Sequence, residues 1–272
     1  MRHIHSFPGL ILVLLTLGAC AVPNPPPAGD EGTVVQIQPI EAPRARVAPE
    51  PIPAVFMLPA GKHRFPAVIV LHGCGGRGPS QLTWARRLNG WGYAALIPDS
   101  MTPRGVTSVC APERQALVTP RDRVADVGAA VAWLRTQPEI DPNQIAVLGD
   151  SHGGATAAIA AQRIYDSFRL RAAIDYYGRC GEPAAQGKTP LLALAGELDD
   201  WGNPAAACEL YGKDLRPGQI FEVHTYPETY HAFDNPALTH AVNNGHILAF
   251  NVVAAEDSFD RVHAFLDRWV RH

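Results

Sequence analysis

Ile145-Ala146-Val147-Leu148-Gly149-Asp150-Ser151-His152-Gly153-Gly154 is the stretch whose reading decides the fold. An apolar run long enough for one buried strand ends in a serine held between two glycines, and residues 155–161 continue as an alanine-rich helix. Strand, sharp turn and helix in that order make GxSxG a nucleophile elbow, in which a strained turn lifts the serine hydroxyl above the sheet edge. Gly149 and Gly153 fit because strand and helix pass too closely there for a side chain. An ordinary glycine-rich turn is the competing reading; the strand before and the helix after favour the elbow.

Outward from this stretch, apolar strands alternate with helices. Strands are expected at residues 55–58, 66–71, 93–97, 172–177, 190–195 and 220–226, and helices at 81–88, 121–137, 204–215 and 256–270. Val124, Val127, Val131 and Leu134 form one helix face, and Phe259, Val262, Leu266 and Trp269 another. The pattern predicts an α/β fold, a mostly parallel sheet covered by helices on both faces, with the site built from loops at the carboxyl ends of strands. With 272 residues, 47% of them hydrophobic, the chain can bury the core of one such domain, placed at residues 52–272. The net charge of −3 and the absence of a basic run with interleaved aromatics argue against a nucleic-acid partner.

A serine is a weak nucleophile until a base takes its proton, and the base needs a carboxylate to hold one tautomer. Gly196-Glu197-Leu198-Asp199-Asp200 follows the strand at 190–195, and Thr229-Tyr230-His231 follows the strand at 220–226. The order Ser151, Asp199, His231 is that of α/β-hydrolases. Asp199 is preferred because of its spacing from the turn glycine, with Asp200 the runner-up; either could instead cap the next helix. His63, His224, His240, His246 and His263 lack metal-ligand spacing and read as structural or surface groups, so no metal or organic cofactor is expected. The oxyanion hole is expected to combine the amide of His152, next after the nucleophile, with one from the glycine-rich loop 72–76, Cys74 being preferred. A neutral His231 is required for base catalysis, so activity is expected to rise with pH through the ordinary imidazole range, about 6.5.

The first 20 residues read as a secretory signal: Arg2 near the start, an apolar run at 10–17, then Leu17-Gly18-Ala19-Cys20. Those four residues resemble a bacterial lipobox, which would make Cys20 the lipid-bearing first residue of an exported periplasmic or outer-membrane lipoprotein. Residues 21–51, with Pro25, Pro26 and Pro27 in succession, are expected to form an extended tether carrying at most a short strand at 33–37. Setting Cys20 aside leaves Cys74, Cys110, Cys180 and Cys208, an even number in an exported chain, so two disulfides are expected. The order of elements favours Cys74 with Cys110 and Cys180 with Cys208, among three possible pairings. The first bridge would also fix the Cys74 amide.

LHGCGG, GYAALIPDSMTPRG, GDSHGG, GELDDW and YHAFDNP together resemble the block pattern of the dienelactone hydrolase branch of the α/β-hydrolases, over nearly everything from residue 55 onward. The resemblance implies a single hydrolase domain with nucleophile, acid and base at Ser151, Asp199 and His231. The chain departs from the namesake enzymes in carrying serine where they use cysteine, and Gly73 where they tend to carry an acidic residue. The expected activity is therefore hydrolysis of a small ester or lactone through an acyl-enzyme, with Arg104 or Arg179 available to a substrate carboxylate. A small-peptide or amide hydrolase, or a non-catalytic binding module on the same fold, are the alternatives.

Overall fold

The computed structural model describes residues 32–181, 187–213 and 215–271. The expected signal segment and Cys20 lie outside them. In chain order the elements are β1 (Thr33–Ile37), β2 (Ile52–Met57), β3 (Phe65–Leu71), α1 (Pro79–Gly90), β4 (Ala94–Pro98), α2 (Arg123–Leu134), β5 (Ile140–Asp150), α3 (His152–Ala160), β6 (Ala173–Tyr176), β7 (Leu191–Gly196), α4 (Pro204–Gly212), β8 (Phe221–Tyr226), β9 (Ala241–Asn243), β10 (His246–Leu248) and α5 (Val252–Val270).

Eight strands form one sheet in the order β1-β2-β4-β3-β5-β6-β7-β8. From β4 to β8 every pairing is parallel, while β1 and β2 add an antiparallel edge. The central strands are apolar on both faces because helices cover both. Ile69 and Leu71 of β3 belong to the core layer on the side of α2, α3 and α4, together with Val124, Val131, Ala157 and Tyr211. Their neighbours Val68 and Val70 point the other way, into the layer of α1 and α5 with Trp84, Leu88, Val262 and Phe265. Val68, Ile69, Val70 and Leu71 are fully withdrawn from water, and each contributes about 1.5–3 kcal/mol of apolar transfer. The two layers hold the sheet rigid, so the loops at its carboxyl edge sit on a fixed platform.

Within the tether expected at residues 21–51, the short strand expected at 33–37 is present as β1, while the described remainder is packed against the domain instead of standing off it. β1 pairs with β2 over five residues, and Ile37, Ala42 and Ala48 are buried. Arg46 bonds Asp122 through Nε and Nη2 at 2.9 and 2.6 Å, and Pro43 accepts the Tyr165 hydroxyl at 2.7 Å. Prolines suit this path because it runs over a surface as irregular backbone, held by side chains rather than by a ladder. The second departure is the hairpin β9–β10, inside a stretch without apolar periodicity. Its turn, Asn244 at φ 50° and Gly245 at φ 86°, is the left-handed pair that an Asn-Gly hairpin requires. Among the described residues no helix is long and apolar enough to cross a membrane.

Candidate active site

β5 ends at Asp150 and α3 begins at His152, which leaves Ser151 alone to make the turn. Its backbone, φ 53° and ψ −114°, is one that a side-chain-bearing residue rarely adopts, and such strain persists only where surrounding structure enforces it. Packing supplies that enforcement. A Cβ on Gly149 would stand 2.2 Å from the backbone of Gly153, and one on Gly153 would stand 2.3 Å from the carbonyl oxygen of Leu71. The helix therefore rests directly on β3 and β5, and the serine hydroxyl is pushed out of the corner.

Two further side chains converge on it. His231 approaches the Ser151 Oγ through Nε2 at 3.0 Å, and its Nδ1 donates to Asp199 Oδ2 at 2.7 Å. The other carboxylate oxygen of Asp199 accepts the Trp201 amide at 2.9 Å, so the acid is fixed on both sides. Both His231 and Asp199 are 4% exposed. This network gives the imidazole one tautomer, with the proton on Nδ1 and the lone pair of Nε2 facing the hydroxyl. The ring itself is held between Tyr177, at 4.7 Å between centroids, and Trp201, at 5.1 Å. Asp200 does not take part: it points outward to His246 Nδ1 at 3.0 Å. His246 stacks on Trp201 at 5.0 Å, so the hairpin that sequence patterning missed reaches the imidazole through that indole.

The loop after β3 faces the elbow. Gly73 O is bonded by the His72 ring at 2.8 Å and by the Gly76 amide at 3.4 Å, so the Cys74 N–H, on the other side of the same peptide, points away from them. It finds no backbone acceptor among the described residues. His152 is the first residue of α3, where amide groups have no carbonyl partner within the helix. Neither amide predicted for the oxyanion hole thus has a backbone acceptor among the described residues. Cys74 is bridged to Cys110, and Cys180 to Cys208. The first bridge pins the glycine-rich loop to the segment after β4, and Val109 N–H reinforces it by bonding Cys74 O at 2.8 Å. The sulfurs of the second lie near Asp175, but they are spent on each other and offer no thiolate to a metal.

Carboxylates crowd the floor of the site, and patterning had marked none of them. Asp234 accepts Tyr177 Oη at 2.6 Å and Trp84 Nε1 at 3.0 Å, which steadies the ring beside His231. Asp150, partly open at one edge but enclosed by protein, accepts Gln81 Nε2 at 2.7 Å. Burial, with the Asp234 charge adding to it, pushes its carboxyl up to about 6. A buried carboxylate at a strand end or in a loop leaves no periodic trace, which is why only geometry reveals these groups. Arg104 proves unavailable to substrate: it is bidentate to Asp126 at 2.8 and 2.9 Å and also bonds Ser100 O. Arg179 is exposed, its aliphatic stem over Gly202, on the rim of a cleft of about 370 Å³ lined by Pro120, Ala155, Ile159, Ala207 and Leu210.

Comparison with known proteins agrees with this architecture. The model of the dienelactone hydrolase family matches residues 52–270. A protein of Methylorubrum extorquens, named as a "Putative carboxymethylenebutenolidase", is 27% identical over 201 residues, 67% of this chain and 68% of its own. Among solved structures, the dienelactone hydrolase-like promiscuous phosphotriesterase P91 from metagenomic libraries superimposes with a TM-score of 0.66 at 19% identity, covering 87% of this chain and 98% of that one. Esterase 2 of Thermogutta terrifontis, in a structure phosphorylated by paraoxon, gives 0.64 at 19% identity over 87% and 93% of the two chains. At such identities these two likenesses speak for the fold.

Proposed function

Because the chain belongs to the dienelactone hydrolase family, and is thereby a hydrolase acting on ester or lactone bonds, we propose that it works as a serine esterase through an acyl-enzyme. One observation carries the reading: the continuous line from Ser151 Oγ through His231 to Asp199, at 3.0 and 2.7 Å, ending on a serine held in strained backbone. Ser151 Oγ attacks the carbonyl carbon while His231 Nε2 takes its proton. The amides of Cys74 and His152 receive the charge on the carbonyl oxygen. His231 then returns the proton to the leaving alkoxide, and the acyl-enzyme remains. Water repeats the sequence, with its proton passing to His231, and releases the acid and free Ser151. Asp199 stays ionised, orienting the imidazole and offsetting its transient charge. Preorganised amides of this kind commonly supply about 10²–10³ in rate apiece.

The test uses chain lacking residues 1–20, short- and long-chain p-nitrophenyl esters, and a fluorophosphonate probe. Turnover and labelling that both vanish in Ser151→Ala support the assignment. Turnover that survives the substitution overturns it, and a chain that neither turns over nor labels belongs with binding modules.

Export and lipid anchoring through Cys20 form part of the same proposal. Two disulfides support it, since such bonds persist in oxidising compartments. Incorporation of labelled palmitate that is lost in Cys20→Ala, with the protein in the membrane fraction, is the expected result; a soluble cytoplasmic chain with free thiols would contradict it.

A further inference from the structure

Arg123, the first residue of α2, is fully buried. Enclosing a guanidinium costs several kcal/mol unless charge and hydrogen bonds offset it. Yet its Nε and Nη2 have no acceptor among the described residues. All its hydrogen bonding runs through Nη1, and both bonds from that nitrogen go to the candidate oxyanion hole. One reaches His72 O at 2.8 Å and the other reaches His152 Nδ1 at 2.9 Å.

Each acceptor belongs to one half of the hole. His152 carries the amide next after the nucleophile. With Nδ1 facing a cation, its proton sits on Nε2 and is donated to Val118 O at 3.0 Å, so the ring is fixed at both ends. Burial, followed by the Arg123 charge, drives this imidazole down to about 3, which keeps it neutral. His72 begins the other half. Its carbonyl is held by Arg123, its Nε2 accepts the Ser100 amide at 3.2 Å, and its Nδ1 donates to Gly73 O, the carbonyl of the peptide whose N–H belongs to Cys74. Burial keeps the His72 ring neutral too, well below the ordinary imidazole range. A single nitrogen therefore links the end of β3 to the start of α3.

We propose that Arg123 is a positioning residue for the hydrolytic reaction: bonding His72 O and the His152 ring through one nitrogen, it holds the amides of Cys74 and His152 at a fixed separation around the oxyanion. The inference rests on the esterase reading above. It says more than that Arg123 fills space, because a clamp on the hole is felt only when the carbonyl oxygen acquires charge.

The experiment compares wild type, Arg123→Met, Arg123→Lys and His152→Ala in the full chain, with a short p-nitrophenyl ester and a trifluoromethyl ketone, which forms a tetrahedral oxyanion on an activated serine. Active sites are counted by fluorophosphonate labelling, so unfolded material does not enter kcat. In Arg123→Met, kcat is expected to fall about 10- to 100-fold with KM within about twofold. The ketone should weaken by the same factor, and Arg123→Lys should recover part of both. Should Arg123→Met fail to fold, Arg123→Lys and His152→Ala carry the test, their combined effect being smaller than the product of the two. Unchanged kcat, or a loss confined to KM with ketone affinity intact, overturns the clamp. Wild type without turnover, or turnover that persists in Ser151→Ala, overturns the esterase reading instead, so the two failures are distinct.

Discussion

Two histidine–carboxylate pairs grow from adjacent aspartates, and only one of them is enclosed. Asp199 meets His231 at 2.7 Å with side chains 0% and 5% exposed; Asp200 meets His246 at 3.0 Å with side chains 65% and 30% exposed. The chemistry of the partners is the same, and the distances differ little. Enclosure separates them. In the buried pair the carboxylate is further fixed by the Trp201 amide, the imidazole is wedged between Tyr177 and Trp201, and the far nitrogen has a serine to address. The outer pair stands open to solvent, and an exposed pair of this kind contributes about 0–1 kcal/mol. A hydrogen bond becomes machinery when its second end is occupied and neither partner can turn away.

That contrast can be broken most forcefully at the acids. Asp199→Asn should lower kcat by about 10⁴ by presenting the wrong imidazole tautomer, whereas Asp200→Asn should leave kcat within about threefold, both measured on a p-nitrophenyl ester. Equal losses would erase the distinction between the pairs. The bridges offer a sharper version of the same test. Replacing Cys74 and Cys110 together by alanine should cost about tenfold in kcat by slackening the glycine-rich loop, and replacing Cys180 and Cys208 should leave kcat near wild type. Either removal is expected to cost about 2–4 kcal/mol of stability, so thermal melts and kcat together separate position from cohesion.

A smaller effect comes from Asp150, whose carboxyl is lifted to about 6 by burial. A carboxyl with a raised value in the folded state holds its proton more tightly there than in the unfolded chain. Its contribution to stability is therefore greatest at low pH and is lost as pH rises toward 6. Asp150→Asn cannot lose a proton, so its melting temperature should gain on wild type between about pH 4 and 6 and hold that relative position above. Parallel curves across that range would count against the assignment. The smallest change expected is at His246: alanine there should move stability by no more than about 1 kcal/mol in denaturant melts.

How far patterning could foresee this site depends on what kind of signal each part leaves. The central strands and the elbow announce themselves because runs such as Val68 to Leu71 and the spacing of Gly149, Ser151 and Gly153 are dictated locally, by burial on two faces and by backbone contact. Strand-end position placed Asp199 and His231 near the same sheet edge, and spacing from the turn glycine preferred Asp199; the directions of the two neighbouring side chains are what separate it from Asp200. Arg123 and Asp234 were illegible for another reason. A charged residue in a helix or loop reads as solvated surface unless something distant encloses it, and what encloses Arg123 is His72 and His152, 51 and 29 residues away. The proline-rich segment misled in the opposite sense: its composition is that of a linker, while its anchors, Asp122 and Tyr165, lie far along the chain.

In that segment the span of the family model and the extent of the folded body part company. The family model begins at residue 52, at the first residue of β2. The folded body begins at least 19 residues earlier, with β1 laid along β2 and Arg46 fastened to Asp122. A chain cut at residue 52 would turn β2 from an interior strand into an open rim, its unpaired amides and carbonyls ready to recruit another strand. It would also uncover the wall that Ile37, Ala42 and Ala48 now cover, and leave Asp122 without its guanidinium at the very turn from which Arg123 enters the core. The family model leaves the outermost strand out, yet without that plank the hull is open.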